Sequence, residues 1–364
     1  MKFISEANEM QNGILSVIKA LPVRSSMPVL DGILIEAKKN GIHLVCSDLM
    51  FQKEYFMEAE VIEEGECVVK GKFFSELMRK LPSSSVEFSL EGHILIVKCG
   101  RIRQRVQCIE YDEFPLMKMK GQTKEIKIPS STFAGMINHT VFAVSQDDSR
   151  PVLTGTLIES TRDTLSLVAT DSFQLALTKY AYESPAEERS TIVQGKVLSE
   201  IGKMAEEAED NVTLTLTNTH LNVEVNNSRL TARLLDGNYI DYKRILPKEC
   251  KTRVLVNVAE LMEMIDRAQL ISREGNNSIL FHFGNGVMSL KAESYLGRVE
   301  DEMEVQTVGD EIEIAFNPKY LINVLRNITE ESVYMEFNSS ISPCLIRPLQ
   351  GDSYLYMIVP MRVY

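Results

Sequence analysis

The stretch "MPVLDGILIEAKKNGIHLVCSD" (27–48) returns as "RPVLTGTLIESTRDTLSLVATD" (150–171), and a chain that repeats itself in this way must fold as several copies of one unit. Gly32 and Asp48 keep the same spacing as Gly155 and Asp171. A weaker third copy, "NNSILFHFGNGVMSLKAES", sets Asn277 where Gly32 stands, Gly286 at Gly41 and Glu293 at Asp48. Each copy alternates apolar and polar residues around a turn, at Asn40-Gly41, Asp163-Thr164 and Asn285-Gly286, which is the signature of a two-stranded hairpin. Three domains of roughly 120 residues are implied. We expect them at 1–122, 123–249 and 250–364, with the apolar-poor segments "KMKGQTKE" and "LPKECKT" as linkers.

Within each repeat the elements come in one order. An amphipathic helix leads, with Ile14, Leu15 and Ile18 in the first copy, Phe133, Met136, Ile137 and Val141 in the second, and Leu261, Met262 and Ile265 in the third. The hairpin comes next, then a strand, a second helix and closing strands, so the fold class is α+β with antiparallel strands dominating. The second helices are "GKFFSELMRKLP", "GKVLSEIGKMAE" and "NPKYLINVLRNI". Beside their apolar stripes, among them Phe73, Phe74, Leu77 and Met78, each carries two cations seven positions apart and therefore on one face: Lys72 with Arg79, Lys196 with Lys203, Lys319 with Arg326. One such pair is ordinary solvated helix surface. Three at equivalent positions, in a chain whose formal charge is -12 and whose pI is near 5.1, suggest a positive lining inside an acidic shell.

Other function classes find little support. No stretch has the roughly 18 apolar residues of a membrane span, and "MKFISEANEM" has no signal-peptide core, so a cytoplasmic protein with no membrane partner is expected. The 6 cysteines lack any C-x-x-C pair and the 5 histidines lack ligand spacing, so neither a metal nor a cofactor is expected. An enzyme would have to lean on Asp171 with Asp147 and Asp148, or on Asp48. No nucleophile or phosphate loop accompanies them, and the repeat position shared by Asp48 and Asp171 points to a structural turn. The tail "YMIVPMRVY" is unusually apolar for a chain end: either Met357, Ile358, Val359, Pro360, Met361 and Val363 form a last buried strand, or they line a site that another molecule fills.

The segments "MKF", "LPVRSSMPVLDGILIEA", "LVATDSFQLAL", "DGNYIDYKRILPK", "FNPKYLINVLR" and "VPMRVY" resemble, in order from Met1 to Tyr364, the bacterial sliding clamps, the beta subunits of DNA polymerase III. The resemblance implies three tandem clamp domains, with two chains closing head to tail as a homodimeric ring around double-stranded DNA, helices inward. It implies no catalysis: a closed ring tethers by topology, through weak, sequence-independent phosphate contacts. Lys72, Arg79, Lys196, Lys203, Lys319 and Arg326 would face DNA, joined by Arg24 and Arg150 on rim loops. Partners would be the replicative polymerase, the clamp loader and repair proteins carrying short apolar peptides. Their pocket, carried over by motif, is Leu153, Thr170, Ser172, Phe173, Leu175, Ile240, Arg244, Ile245, Pro343, Met357, Ile358, Val359, Pro360, Met361 and Arg362. Its methionines suit several partners, because an unbranched thioether repacks easily. Two departures stand out: Phe173 and Gln174 replace the family's usual His and Arg, and Gln104 stands where relatives place an aromatic residue in the subunit contact. They leave open a specialised second clamp or a decoy that binds clamp partners without supporting processive synthesis.

Ring closure itself is expected from charge. Arg101, Arg103 and Arg105 alternate along one strand, and Glu300, Glu302 and Glu304 along another, so the two rows can pair across subunits. Failing that, Val106 against Leu270 and Ile271 would supply an apolar contact.

Overall fold

A computed structural model describes every residue except 122, 183–187, 363 and 364. The first repeat runs β1 (Lys2–Glu6), α1 (Ala7–Val17), β2 (Gly32–Lys38), β3 (Gly41–Ser47), β4 (Phe51–Met57), β5 (Glu60–Glu63), β6 (Gly65–Lys70), α2 (Gly71–Arg79), β7 (Ser85–Glu91), β8 (Ile94–Cys99) and β9 (Ile102–Ile109). The second runs β10 (Lys124–Pro129), α3 (Ser130–Val141), β11 (Gly155–Ser160), β12 (Thr164–Thr170), β13 (Gln174–Ala181), β14 (Arg189–Gln194), α4 (Gly195–Glu206), β15 (Asn211–Leu216), β16 (His220–Val225) and β17 (Ser228–Arg233). After the short helix α5 (Tyr242–Ile245), the third runs β18 (Thr252–Asn257), α6 (Val258–Ser272), β19 (Ile279–Gly284), β20 (Val287–Ser294), β21 (Gly297–Glu304), β22 (Gln306–Gly309), β23 (Ile312–Phe316), α7 (Pro318–Leu325), β24 (Ser332–Phe337), β25 (Cys344–Arg347) and β26 (Tyr354–Ile358). The expected order of elements is therefore present three times.

Packing divides the chain differently from the repeats. One compact unit holds Met1–Phe133 with Glu200–Leu234, the other Ala134–Ser199 with Leu235–Tyr364. In the first, a sheet runs β10-β15-β16-β17-β4-β3-β2-β6-β9-β8-β7-β1-β5; in the second, a sheet runs β14-β11-β12-β13-β26-β25-β24-β18-β22 beside a smaller one, β21-β20-β19-β23. Strands of the middle repeat thus serve two sheets. In each unit the strand after the hairpin of one repeat pairs antiparallel with the last strand of the next: Gln52 faces Thr231 across β4 and β17, and Leu175 faces Met357 across β13 and β26. Backbone hydrogen bonds cross the repeat border because an unpaired sheet edge would leave N–H and C=O groups without partners.

Helix faces obey their periodicity with two exceptions. α1 buries Met10, Ile14 and Val17, spaced three and four apart, while Leu15 is exposed; α2 buries Phe74 and Met78, while Phe73 stands in solvent. A helix laid on a sheet buries one stripe only, and Leu15 and Phe73 each lie one position beside it. Gly13 lets α1 lie close on the sheet, since a Cβ there would come within 2.7 Å of the Tyr55 ring. α6 and α7 start at Asn257 and Asn317, whose side chains accept from the amides of Glu260 and Lys319. The hairpin turn Asn285-Gly286 has both residues at positive φ, as a type I′ turn requires.

Candidate functional site

The apolar tail is first of all a strand. β26 is hydrogen-bonded to β13 on one side and β25 on the other, and all five residues are buried. Its alternation feeds two cores: Tyr354, Tyr356 and Ile358 join the cluster around Phe281, Phe283 and Phe316, and Leu355 and Met357 join the one around Leu175, Leu177 and Tyr242. Met357 and Ile358, expected at the pocket, are buried core residues here, because a strand paired on both edges and covered on both faces has no free side. Thr170 and Leu175 are buried on the doubly paired strands β12 and β13, and Leu153 is buried on the helical turn before β11. Val359, Pro360 and Met361 are half-buried and Arg362 is exposed, while Val363 lies outside the described residues. The Val359 amide donates to the Phe173 carbonyl (2.9 Å) and the Met361 amide to that of Ala315 (2.7 Å), so the segment after β26 is held along the surface.

Phe173 sits on a turn built by Asp171. The Asp171 Oδ1 accepts from the amides of Phe173 and Gln174, both at 2.9 Å, and Ser172 between them takes φ 81. This Asx turn explains the carboxylate structurally and aims the Phe173 side chain outward, 55% exposed. Its ring stacks on Tyr320 with centroids 5.7 Å apart. Around this pair opens a cavity of about 650 Å³, which brings Leu153, Ser172 and Phe173 together with Arg150, Lys319 and Asn323. The Arg150 guanidinium donates to the Ser172 hydroxyl at 3.4 Å. Sequence reasoning misses Tyr320 and Asn323, because Tyr320 reads as part of the apolar stripe of α7; its place beside the exposed Lys319 is the available signal. Arg150 and Lys319, expected toward DNA, also line this cavity.

Ile240 precedes α5, which carries Arg244 and Ile245 and docks through Tyr242 on the cluster holding Leu175 and Met357. Burial and the hydrogen bond from its hydroxyl to Glu159 (2.6 Å) hold the Tyr242 phenol well above its usual pKa. Ile240 and Ile245 present apolar surface, Arg244 is exposed and pairs with Asp241 at 2.7 Å, and Pro343 is half-buried ahead of β25. Of the residues expected at the pocket, Leu153, Thr170, Leu175, Met357 and Ile358 are thus buried, whereas Ser172, Phe173, Ile240, Arg244 and Ile245 are exposed.

All six helix cations are exposed, as are Arg24 and Arg150. Lys203 donates to Glu200 at 2.8 Å, and the same carboxylate lies 3.7 Å from the buried Lys53, so that cation is partly neutralised in place. Arg79 ends α2 and Arg326 caps α7, positions where a positive charge complements the helix dipole.

The two charged rows lie on sheet edges. β21 is the outermost strand of its sheet, with Glu300, Glu302 and Glu304 exposed and alternating with the buried Met303. β9 pairs with β8 from Ile102 to Gln107 and meets β6 only at Cys108 and Ile109, which leaves its first part open on one side. Arg103 and Arg105 project from it; Arg101 precedes the strand. Some of this charge is already engaged, Arg105 with Glu91 at 4.0 Å and Glu300 with Lys291 at 3.6 Å and with Arg298. Gln104 lies on the opposite face from the arginines, its Oε1 buried without a hydrogen-bond partner. Val106 shares that face at 2% exposure, so it is not available as an apolar contact; Leu270 is exposed and Ile271 half-buried.

Among the described residues no group of His, Cys, Asp and Glu is placed to hold a metal, and no helix is long and apolar enough to cross a membrane.

The three repeats, their antiparallel sheets and paired helices define a clamp-type architecture. Family models for the DNA polymerase III beta subunit match in succession, the N-terminal domain at residues 1–118, the central domain at 127–241 and the C-terminal domain at 243–362. The Beta sliding clamp of Bacillus subtilis (strain 168) is 31% identical over 379 residues, covering 100% of both chains. The crystal structure of the DNA polymerase sliding clamp from Bacillus subtilis superposes with a TM-score of 0.96 at 30% identity, and that of the DNA polymerase III beta subunit from Thermotoga maritima with 0.94 at 32%, each covering 100% of both chains. The chain belongs to the DNA polymerase III beta subunit family, the bacterial sliding clamps.

Proposed function

We propose that this chain acts without catalysis as a processivity subunit: two copies close head to tail around duplex DNA and tether the replicative polymerase, the clamp loader and repair proteins by their apolar peptides. The observation that carries this reading is the unfinished pairing of the sheets. β4 pairs with β17 and β13 with β26, each the strand after a hairpin with the last strand of the next repeat. By that rule β21 needs the last strand of a fourth repeat, and β9 needs a hairpin strand before the first. Each is open where its partner should lie, and the free edges carry opposite charge. A second copy supplies both partners, β9 to β21 and β21 to β9, with domains at 1–122, 123–249 and 250–364.

The basic helix pairs and Arg24 would then meet phosphates without reading bases, as sliding requires. The rim of Phe173, Ile240, Ile245, Val359, Pro360 and Met361, over its buried floor, would take the partner peptides, with Arg150 and Arg244 beside it. Sedimentation tests the closure: Arg103→Glu should give monomers at micromolar concentration, and adding Glu302→Arg should partly restore the dimer. A dimer indifferent to both changes, or a native chain that sediments as a monomer, would overturn the reading. Native protein should also stay on nicked circular DNA and slide off once it is linearised.

A further inference from the structure

All 6 cysteines are free thiols, five of them buried, and two meet across a seam. β6 and β9 pair through Val68 with Ile109 and Val69 with Cys108, with no further rungs. Residues two apart on a strand share a face, so Cys67 stands diagonally across from Cys108 on the same side. Beside Cys108 and with burial, the Cys67 thiol is pushed well above the ordinary thiol range, while the neighbouring Cys67 draws Cys108 below it against its own burial. Both border a cavity of about 570 Å³, whose mouth carries Glu66, His93, Glu110 and Asp112, all exposed. Small molecules can therefore reach the sulfurs, and three carboxylates at the entrance repel anionic oxidants such as glutathione disulfide.

We propose that Cys67 and Cys108 form a reversible redox modification site, converted by a small uncharged peroxide into an intramolecular disulfide joining β6 to β9. The Cys108 thiolate attacks one peroxide oxygen; the O–O bond breaks and hydroxide leaves, taking up the proton that Cys108 gave to solvent, so one water forms and Cys108 becomes a sulfenic acid. The Cys67 sulfur then attacks the Cys108 sulfur. The S–O bond breaks, the departing hydroxide takes the Cys67 proton as a second water, and the disulfide is formed. Two thiols and one hydrogen peroxide thus yield one disulfide and two waters, and a reducing dithiol reverses the change. Diagonal strand neighbours stand about 7–8 Å apart at Cα and a disulfide accepts up to about 6.8 Å. The strands must therefore close by about 1 Å, which so short a ladder permits.

The test uses the full chain, reduced and then treated with one to five equivalents of hydrogen peroxide, with thiols counted after denaturation and peptides mapped by mass spectrometry. Two thiols should disappear, a Cys67–Cys108 linked peptide should appear, and dithiothreitol should restore both. In Cys67→Ser, Cys108 should accumulate sulfenic acid that dimedone traps; in Cys108→Ser, Cys67 should stay unmodified. The wild-type peptide map decides the matter even if a variant fails to fold. Oxidation confined to the exposed Cys250, Cys108 ending as a sulfinic acid with no link to Cys67, or survival of every buried thiol would each overturn the proposal.

Discussion

The turn that opens β4 and the turn that opens β13 are one device used to two ends. At Asp48 and at Asp171 the carboxylate accepts from the amides two and three residues on, all at 2.9 Å, and the residue between takes positive φ, 71 at Leu49 and 81 at Ser172. The aromatic residue after each turn is shifted by one position. In the first unit it is Phe51, third after the aspartate and 0% exposed; in the second it is Phe173, second after it, and the third position holds Gln174 at 3%. Strand alternation sends these positions to opposite faces. Phe51 therefore packs the core, while Phe173 stands out over a cavity with its ring on Tyr320, and the Gln174 amide donates back to Asp171 at 3.1 Å. One backbone geometry yields a packed seam in one place and an exposed aromatic surface in the other.

The largest effect that could break this comparison is on stability. Phe51→Ala should cost about 3–5 kcal/mol, as for other large core truncations, whereas Phe173→Ala should cost under about 1 kcal/mol because it loses little beyond a partly exposed ring stack. Denaturant melts of the two variants measure this, and equal losses would mean that Phe173 is a core residue. Binding comes next. Phe173→Ala should weaken capture of an apolar clamp-binding peptide by roughly tenfold, the cost of one interface anchor, while Met50→Ala at the equivalent position should leave it unchanged; titration calorimetry separates the two. Smaller again, Asp48→Ala and Asp171→Ala should each cost about 1 kcal/mol by stripping two amides of their acceptor, but only the second should lower peptide affinity.

The smallest effect concerns two histidines with opposite pH behaviour. Burial pushes His43 down, but its hydrogen bonds to the carboxylates of Glu54 (2.9 Å) and Glu36 (2.7 Å) outweigh it and raise its pKa above the ordinary value, although Lys38 and Arg229 also pair with those carboxylates. Its contribution is complete below the unfolded value near 6.5 and is lost as pH rises through the folded one. His139 is held below the ordinary value, chiefly by burial, with Glu330 opposing; it bonds the Tyr356 hydroxyl at 2.6 Å and stacks on Tyr354. Its contribution is complete above the unfolded value and fades as pH falls toward the folded one. Thermal melts of His43→Gln and His139→Gln from pH 5 to 8 should therefore differ from wild type by slopes of opposite sign, and slopes of the same sign would refute one of the two assignments.

Much of this was legible in the residues. The hairpins, the helix order, the cations seven apart and the turn role of Asp48 and Asp171 come from short-range periodicity and hydrogen-bonding chemistry. The two misplaced apolar residues, Leu15 and Phe73, mark the limit of that reasoning: a stripe drawn on a helix is wider than the stripe a sheet can cover. The tail shows another limit. A strand buried on both faces reads as an apolar run, and such a run looks the same whether it fills a core or lines a pocket. Cys67 and Cys108, separated by many residues and without a spacing motif, gave no local sign of their meeting.

Three repeats, the contents of each, and the charged residues along the helices and the strands β9 and β21 all follow from pattern along the chain. That β4 joins β17 and β13 joins β26, that Met357 and Ile358 are core, that Phe173 faces out onto Tyr320, and that β9 and β21 keep open edges emerges only on folding. The physical reason is range. Helix faces and strand alternation are set by side chains a few positions apart, whereas strand partners are chosen by satisfying backbone hydrogen bonds and filling apolar space between segments distant in the chain.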